Sequence, residues 1–429
     1  MNRRRIGGPR RHVTLAILGF GALLLSVLGP KRAHATDARL EAFVAQVLQR
    51  NPGLQARALE RDSVRREASA AGLWPDPAVA IMLDRVPERM SGEMPMVRYQ
   101  VSQMLPWPGK LGLMQDALSR RADGRAALVL ARRLELIREA KRAYLMLTLN
   151  VGLRQVNSAS RDLLTTIANA ALARYGAGVG GHHEVVRAEV ERNALDVEAV
   201  DLDGDRISSV AMINALRNLA ADSPFPDPSL PAAPDGQHAP ALAELMRLAE
   251  GRRPELVAMR AMQREESTMA ELARRERYPD LMASTWYNQM LGAPDTVGVM
   301  LGASIPLFGI TRQNRRAEAS DLRASSVGSD LEAMRAMIRF EVADALRRLE
   351  TADRSLELVV QVAAPRAEQS FSSTLSTYST GTVDIVGVLE AWRALQSVER
   401  ARVETLVARC LALADIERAI AGPIRKRSP

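Results

Sequence analysis

Long stretches of the chain place an apolar residue at every third or fourth position. Between Gly109 and Ala173 there is no proline, and Leu130, Leu134, Ile137, Tyr144, Leu147 and Val151 follow the 3-4 spacing of a coiled-coil seam. The 64 residues of 110–173, taken as one helix, span roughly 95 Å. The same periodicity predicts helices over about 184–219, 311–377 and 385–420, the third softened at Pro365. Helices of this length cannot be buried in one globule, so they lie beside neighbours in a bundle or a barrel.

Four short segments switch to a period of two. They cover about 77–86, 96–105, 280–290 and 296–306. Val79, Ile81 and Leu83 alternate with Ala80, Met82 and Asp84; Val97, Tyr99, Val101 and Leu105 alternate with Arg98, Gln100, Ser102 and Met104. In the last segment Val297, Val299, Leu301, Ala303 and Ile305 alternate with Gly298, Met300, Gly302 and Ser304, while 281–289 alternates less cleanly around Trp286 and Tyr287. Strands of this length with one apolar and one polar or small face fit a transmembrane β-barrel. They fit a half-buried soluble sheet equally well.

The elements repeat. Val97 to Gly109, with Pro106, Trp107 and Pro108 before the glycine, returns as Val297 to Gly309, with Pro306 before its glycine. Pro52-Gly-Leu54 returns as Pro254-Glu-Leu256, and Tyr175-x-x-Gly178 with Ala188 as Tyr378-x-x-Gly381 with Ala391. Three echoes in order, at offsets of 200 to 203, define a duplicated unit. That period is far beyond short solenoid repeats. The first repeat covers 36–221 and the second 241–422, joined by a linker at 222–240 rich in proline and followed by a tail at 423–429.

Composition changes the picture at the N-terminus. Arg3, Arg4, Arg5, Arg10 and Arg11 precede an apolar run from Val13 to Leu28, and Ala33-His34-Ala35 is a small-x-small cleavage pattern. Residues 1–35 therefore read as a secretory signal peptide, cleaved near Ala35. The segment holds seven basic and no acidic residues, so its removal takes the formal net charge from +8 to +1. No basic run with interleaved aromatics remains, which argues against a nucleic-acid partner. Cys410 is the only cysteine, so no intrachain disulfide forms; it lies on an apolar helical stripe, and no cysteine stands directly after the leader to take a lipid anchor. No later segment has the apolar length of a membrane-spanning helix. Four strands leave open edges, which lipid does not tolerate, so a membrane reading requires oligomerisation. Three copies supply twelve strands around an open lumen.

With these features the chain resembles the TolC-type outer membrane efflux proteins over about residues 37–422. The matching motifs are the duplicated strand-pair and helix-pair unit, the Gln103-Met-Leu-Pro-Trp-Pro-Gly-Lys110 turn, the Ile305-Pro-Leu-Phe-Gly309 turn and the two Tyr-x-x-Gly tips. The resemblance implies a homotrimer with a twelve-stranded β-barrel in the cell outer membrane, continuing into a long periplasmic α-helical barrel. It implies partnership with a periplasmic adaptor (membrane fusion) protein and an inner membrane efflux pump. It also implies that Tyr175, Gly178, Tyr378 and Gly381 form the periplasmic tip that closes the pore. Acidic residues ring that constriction in the family: Glu184 and Glu390 match such positions, and Gly387 stands where a further one often sits. Three subunits would then present six carboxylates and favour cations.

Pro106, Pro108, Gly109, Pro306 and Gly309 shape the passage from strand to helix and do no chemistry. His182-His183-Glu184 is the one metal-like cluster; adjacent residues rarely converge on one ion, so a solvated tip is the favoured reading. Met90, Met94, Met96 and Met104, with the Met-Pro-Met run at 94–96, resemble the heavy-metal branch of the family, although loop and lumen packing accounts for methionines too. No nucleophile–base pair and no phosphate loop is present, so neither an enzyme nor a resident cofactor is expected. The same channel would serve drug export or type I protein secretion as readily as metal export. A soluble periplasmic coiled-coil scaffold is the reading from another class.

Overall fold

The computed structural model describes residues 31–84, 96–232, 241–290, 293–306 and 309–423. The leader up to residue 30, Met90, Met94 and the tail from 424 lie outside the described residues. The chain begins with two helices, α1 (Lys31–Arg50) and α2 (Pro52–Ala71), followed by β1 (Ala78–Asp84) and β2 (Met96–Leu105). Two long helices follow, α3 (Lys110–Gly176) and α4 (His182–Leu216). The second repeat runs α5 (Leu242–Arg252), α6 (Pro254–Arg275), β3 (Asp280–Met290), β4 (Thr296–Ser304), α7 (Gly309–Leu358), α8 (Ala364–Ser379) and α9 (Ile385–Ala419). No helix among the described residues is long and apolar enough to cross a membrane.

The echo of Pro52 and Pro254 has a local cause. Each proline opens a helix, where its missing N–H costs nothing and its fixed φ is already helical. Asn51 completes the first of these starts by accepting a hydrogen bond from the Leu54 backbone N–H at 3.2 Å. Pro365 acts differently. It sits inside a helical pattern, and the chain widens into one π-helical turn over Val359–Ala363 before α8 begins. A proline removes one ladder donor and crowds the preceding turn, and the wider turn relieves both.

The four strands form one antiparallel sheet in the order β1-β2-β3-β4. The register places Val79, Val101, Thr285 and Val299 in one row, with Ile81, Tyr99, Tyr287 and Val297 in the next. Residues of even number occupy the other face. There Arg98 donates to Asn288 at 2.9 Å and lies over the Trp286 ring. Ala80, Gln100, Trp286 and Gly298 form one row of that face. The Trp286 indole covers Gly298, and a Cβ there would stand 2.3 Å from the ring.

The described residues gather into two compact units, and each draws on both repeats. The sequence halves are therefore not separate domains. One unit takes 31–46, 140–232 and 351–411. Its core is Leu164, Ile167, Phe371, Tyr378, Ile385 and Trp392 with small residues between them. The core extends into the helix tips through Tyr378 and Ile385. The other unit takes 47–84, 96–139, 241–350 and 412–423 and contains the sheet. Its core packs Leu245, Leu256, Ile338, Val342, Leu349 and Ile416. Beside it, Arg253 is 2% exposed and meets Glu341 at 2.8 Å and Glu255 at 3.1 Å. Arg418 joins the same carboxylates and Glu135, at 3.0 to 3.1 Å. Burial opposes ionisation of Glu135, but Arg418 and Arg138 outweigh it and hold its carboxyl below the usual range.

Candidate functional site

The two helical hairpins end in turns of one design. Gly178 N donates to Tyr175 O at 3.0 Å and Val179 N to Arg174 O at 3.1 Å. Gly381 N donates to Tyr378 O at 3.0 Å and Thr382 N to Thr377 O at 3.1 Å. This pair of bonds terminates a helix when the intervening residue is left-handed, and Gly178 (φ 74°) and Gly381 (φ 88°) supply that conformation. The Tyr-x-x-Gly pattern is thus a helix stop.

The tyrosines of the two tips then diverge. Tyr378 is 0% exposed and its hydroxyl donates to Glu184 Oε2 at 2.6 Å. Glu184 is itself 7% exposed. Arg174 lies over the Tyr378 ring at 4.6 Å and donates to the Tyr378 carbonyl at 2.6 Å. Its Nε stands 3.8 Å from Glu184 Oε2. Burial and the bond to Glu184 both push the Tyr378 phenol far above its ordinary value. Tyr175, the counterpart in the first repeat, is 47% exposed and packs edge-on against His182. At the offset of 203 that relates the tyrosines, Arg174 corresponds to Thr377 and Glu184 to Gly387. The first repeat supplies the cation and the carboxylate that hold the second repeat's tyrosine, and the second returns neither.

Glu184 is therefore not a solvated carboxylate, and its burial within one chain removes it from the expected acidic ring. Glu390 is exposed on α9. His182 and His183 are exposed at the start of α4, while Glu184 turns inward away from them. Among the described residues no group of three or more His, Cys, Asp or Glu is placed to hold a metal ion. Below the tip, Arg393 and Arg400 of α9 pair with Glu191 and Glu198 of α4, one heptad apart. The opposite side of α4 has no such cover. Val186, Val190, Val197, Val200 and Ile207 stand exposed along it, on heptad a and d positions.

The passage from strand to helix is fixed by Asp280. Its Oδ1 accepts from the Trp107 backbone N–H at 2.8 Å and from Lys110 Nζ at 2.7 Å. Trp107 stacks on Tyr278, with ring centroids 5.3 Å apart. Gly109 has φ 89°, and a Cβ there would strike the Arg275 guanidinium. Pro106 and Pro108 flank Trp107 before α3, and Pro306 and Gly309 stand at the matching passage into α7. Asp280 carries no motif, and its role was not visible in the sequence.

The sheet shows the clearest division of faces. Val79, Ile81, Leu83, Val297, Val299 and Leu301 are all exposed, on one face, with no layer packed above them among the described residues. A contiguous exposed apolar surface of this kind marks a membrane or partner interface.

Comparison with known proteins follows the same line. Residues 245–422 match the family described as outer membrane efflux protein. No curated protein sequence matches the chain. Its fold is similar to that of the outer-membrane channel OprN, at 18% identity and a TM-score of 0.78, covering 89% of this chain and 90% of that one. It is similar to the outer membrane protein VceC from Vibrio cholerae, at 17% identity and a TM-score of 0.77, covering 90% and 97%. It is similar also to a membrane protein from Pseudomonas aeruginosa, at 19% identity and a TM-score of 0.78, covering 91% and 92%. The fold is thus shared with these outer-membrane proteins.

Proposed function

We propose that this protein is the exit duct of a tripartite efflux system. It forms a homotrimer whose three sheets close into a twelve-stranded barrel in the outer membrane. A periplasmic adaptor and an inner membrane pump complete the assembly, and the pump supplies the energy. The duct itself is a passive conduit and not an enzyme. The observation that carries this reading is the sheet. Its apolar face is exposed over all four strands, its other face is polar, and β1 and β4 have no partner on their outer edges among the described residues. Open edges are excluded from lipid, so closure must come from other copies. The heptad stripe of α4, uncovered among the described residues, supports the same assembly, because a second copy would cover such a coiled-coil seam.

At the periplasmic end, the contact of Arg174 and Glu184 with Tyr378 holds the closed state. Glu390 is the carboxylate left to face the constriction, three in a trimer. The cargo is a heavy-metal cation; the rival cargoes, organic drugs or a secreted protein, would pass the same duct. Removal of residues 1–35 accompanies export. The deciding experiment is extraction of the membrane fraction. A barrel stays in the pellet through molar salt and alkaline carbonate and is released by detergent as a trimer. Release by salt alone would establish the soluble scaffold instead.

A further inference from the structure

Six of the protein's 18 methionines lie in the four strands, and all six are on one face. Met82, Met96, Met104, Met282, Met290 and Met300 share the polar face with Arg98, Gln100, Ser284 and Asn288, and the apolar face has none. Ordinary strand chemistry does not ask for this. Strands favour β-branched and aromatic side chains, and methionine is a gap filler of cores. Here Met82, Met104, Met282 and Met300 are exposed, with no core above them to fill.

The register sorts the six into two clusters. Met104 stands directly opposite Met282, and Met300 is opposite Ser284, one diagonal step from Met282. Met282 leans toward β4, its Cε 3.7 Å from where a Cβ on Gly302 would lie. Toward the other end of the strands, Met96 stands directly opposite Met290, and Met82 is opposite Arg98, one diagonal step from Met96. Directly opposed residues have Cβ atoms about 5 Å apart and diagonal ones about 7–8 Å, within reach of long side chains. Three unbranched thioethers at that spacing can turn their sulfurs to a common point.

We propose that the polar face of the sheet carries two three-thioether sites for a soft monovalent cation, Cu(I) or Ag(I). Thioether sulfur is a soft ligand that prefers such ions over Mg(II) or Ca(II). Each site offers three neutral donors and no thiolate, so it binds weakly and exchanges fast, as a surface that passes an ion along requires. The sites depend on the sheet alone; their meaning as a cargo path rests on the channel reading above.

The test uses the full mature protein in detergent, carrying methionine labelled with carbon-13 at the ε-methyl, with Cys410→Ser to remove the one competing thiol. Ag(I) is titrated and the methyl spectrum is read. The six strand methyls shift, while those of Met259 and Met334, packed against the helical core, stay in place. Met282→Leu, which keeps volume, weakens Ag(I) binding at Met104 and Met300 at least tenfold and leaves Met96 and Met290 responding as before. That second cluster serves as the internal control for folding. Strand methyls that ignore millimolar Ag(I), a shift shared by all methionines, or Met104 responding normally in Met282→Leu would each overturn the proposal. Membrane extraction separates the two readings. A salt-released sheet that binds Ag(I) refutes the channel and keeps the sites, and a detergent-requiring trimer that ignores Ag(I) does the reverse.

Discussion

Tyr378→Phe isolates the tip contact. The substitution removes only the hydroxyl. The ring stays in its cluster with Phe371 and Trp392, Arg174 keeps its place over that ring, and the bond from Arg174 to the backbone carbonyl remains. What is lost is a hydrogen bond of 2.6 Å to a carboxylate that is 7% exposed. That length is in the charge-assisted range. Bonds to charged groups contribute about 1.5–3 kcal/mol, and leaving a buried acceptor without its donor places the loss at the upper part of that range. Arg174 cannot take over from the tyrosine, because its Nε stands 3.8 Å from Glu184.

If the tips separate on opening, the closed state of each protomer loses that energy and the open state does not. At about 1.4 kcal/mol per factor of ten, one contact shifts the closed–open balance roughly tenfold to a hundredfold. Single-channel recording in a planar bilayer reads this as open probability. Tyr378→Phe opens the channel at least tenfold more often, with unchanged conductance once open. Glu184→Gln, which retains an acceptor for the phenol, has a smaller effect. Tyr175→Phe, at the exposed counterpart, behaves as wild type. The reasoning is refuted if Tyr378→Phe stays as closed as wild type, or if Tyr175→Phe opens the channel to the same degree.

Three further outcomes follow from the geometry. Replacing Arg253 by Met strips Glu341 and Glu255 of a 2%-exposed cation, but both keep Arg418, so the loss falls below the roughly 3–5 kcal/mol of a buried charge left unpaired; urea denaturation followed by circular dichroism measures it, and a change below about 1 kcal/mol would show that Arg418 suffices alone. Gly298→Val drives a side chain into the Trp286 indole and unseats it from the polar face, so tryptophan emission shifts to the red, whereas the same change at Gly204, which has nothing within 4 Å, leaves the spectrum alone. The Tyr378 phenol, raised by burial and by Glu184, keeps its stabilising bond fully below pH of about 10, where a free tyrosine ionises, and loses it only as pH climbs through the higher folded value; absorbance at 295 nm up to a pH of about 11 therefore has equal amplitude in wild type and Tyr378→Phe, and an extra phenol titrating in the wild type near a pH of about 10 would contradict the burial argument.

Period and repetition made most of the architecture readable. A seam of Leu130, Leu134 and Ile137 specifies a helix wherever it occurs, and the strict alternation that sets Val97, Tyr99 and Val101 on one side specifies a two-faced strand, because both patterns depend only on residues close in sequence. What those patterns withhold is depth. Glu184 looks like any helix-face glutamate, and its partner Tyr378 lies 194 residues away. Asp280 is likewise an isolated acid until the fold brings Trp107 and Lys110 to it. The helix pairs α1–α2 and α5–α6 lie outside the helices that the periodicity predicts, although the echo of Pro52 and Pro254 marks the proline that opens each second helix.

The duplication itself carried more than symmetry, because its departures are where the tip acquires a direction. Two identical tips would each bury or each expose a tyrosine. In this chain the helix-stopping glycines are kept in both repeats, since a left-handed residue is required at either turn. The partners are not kept. Arg174 and Glu184 belong to the first repeat, Thr377 and Gly387 stand in the second, and the consequence is one buried tyrosine and one exposed. A cation and a carboxylate are stable at such depth only with a donor and an acceptor to satisfy them, which one tyrosine supplies for one repeat. The second tyrosine, lacking that pair, is left at the surface with His182. The buried contact thus exists only between the repeats, built from residues that one repeat has and the other lacks.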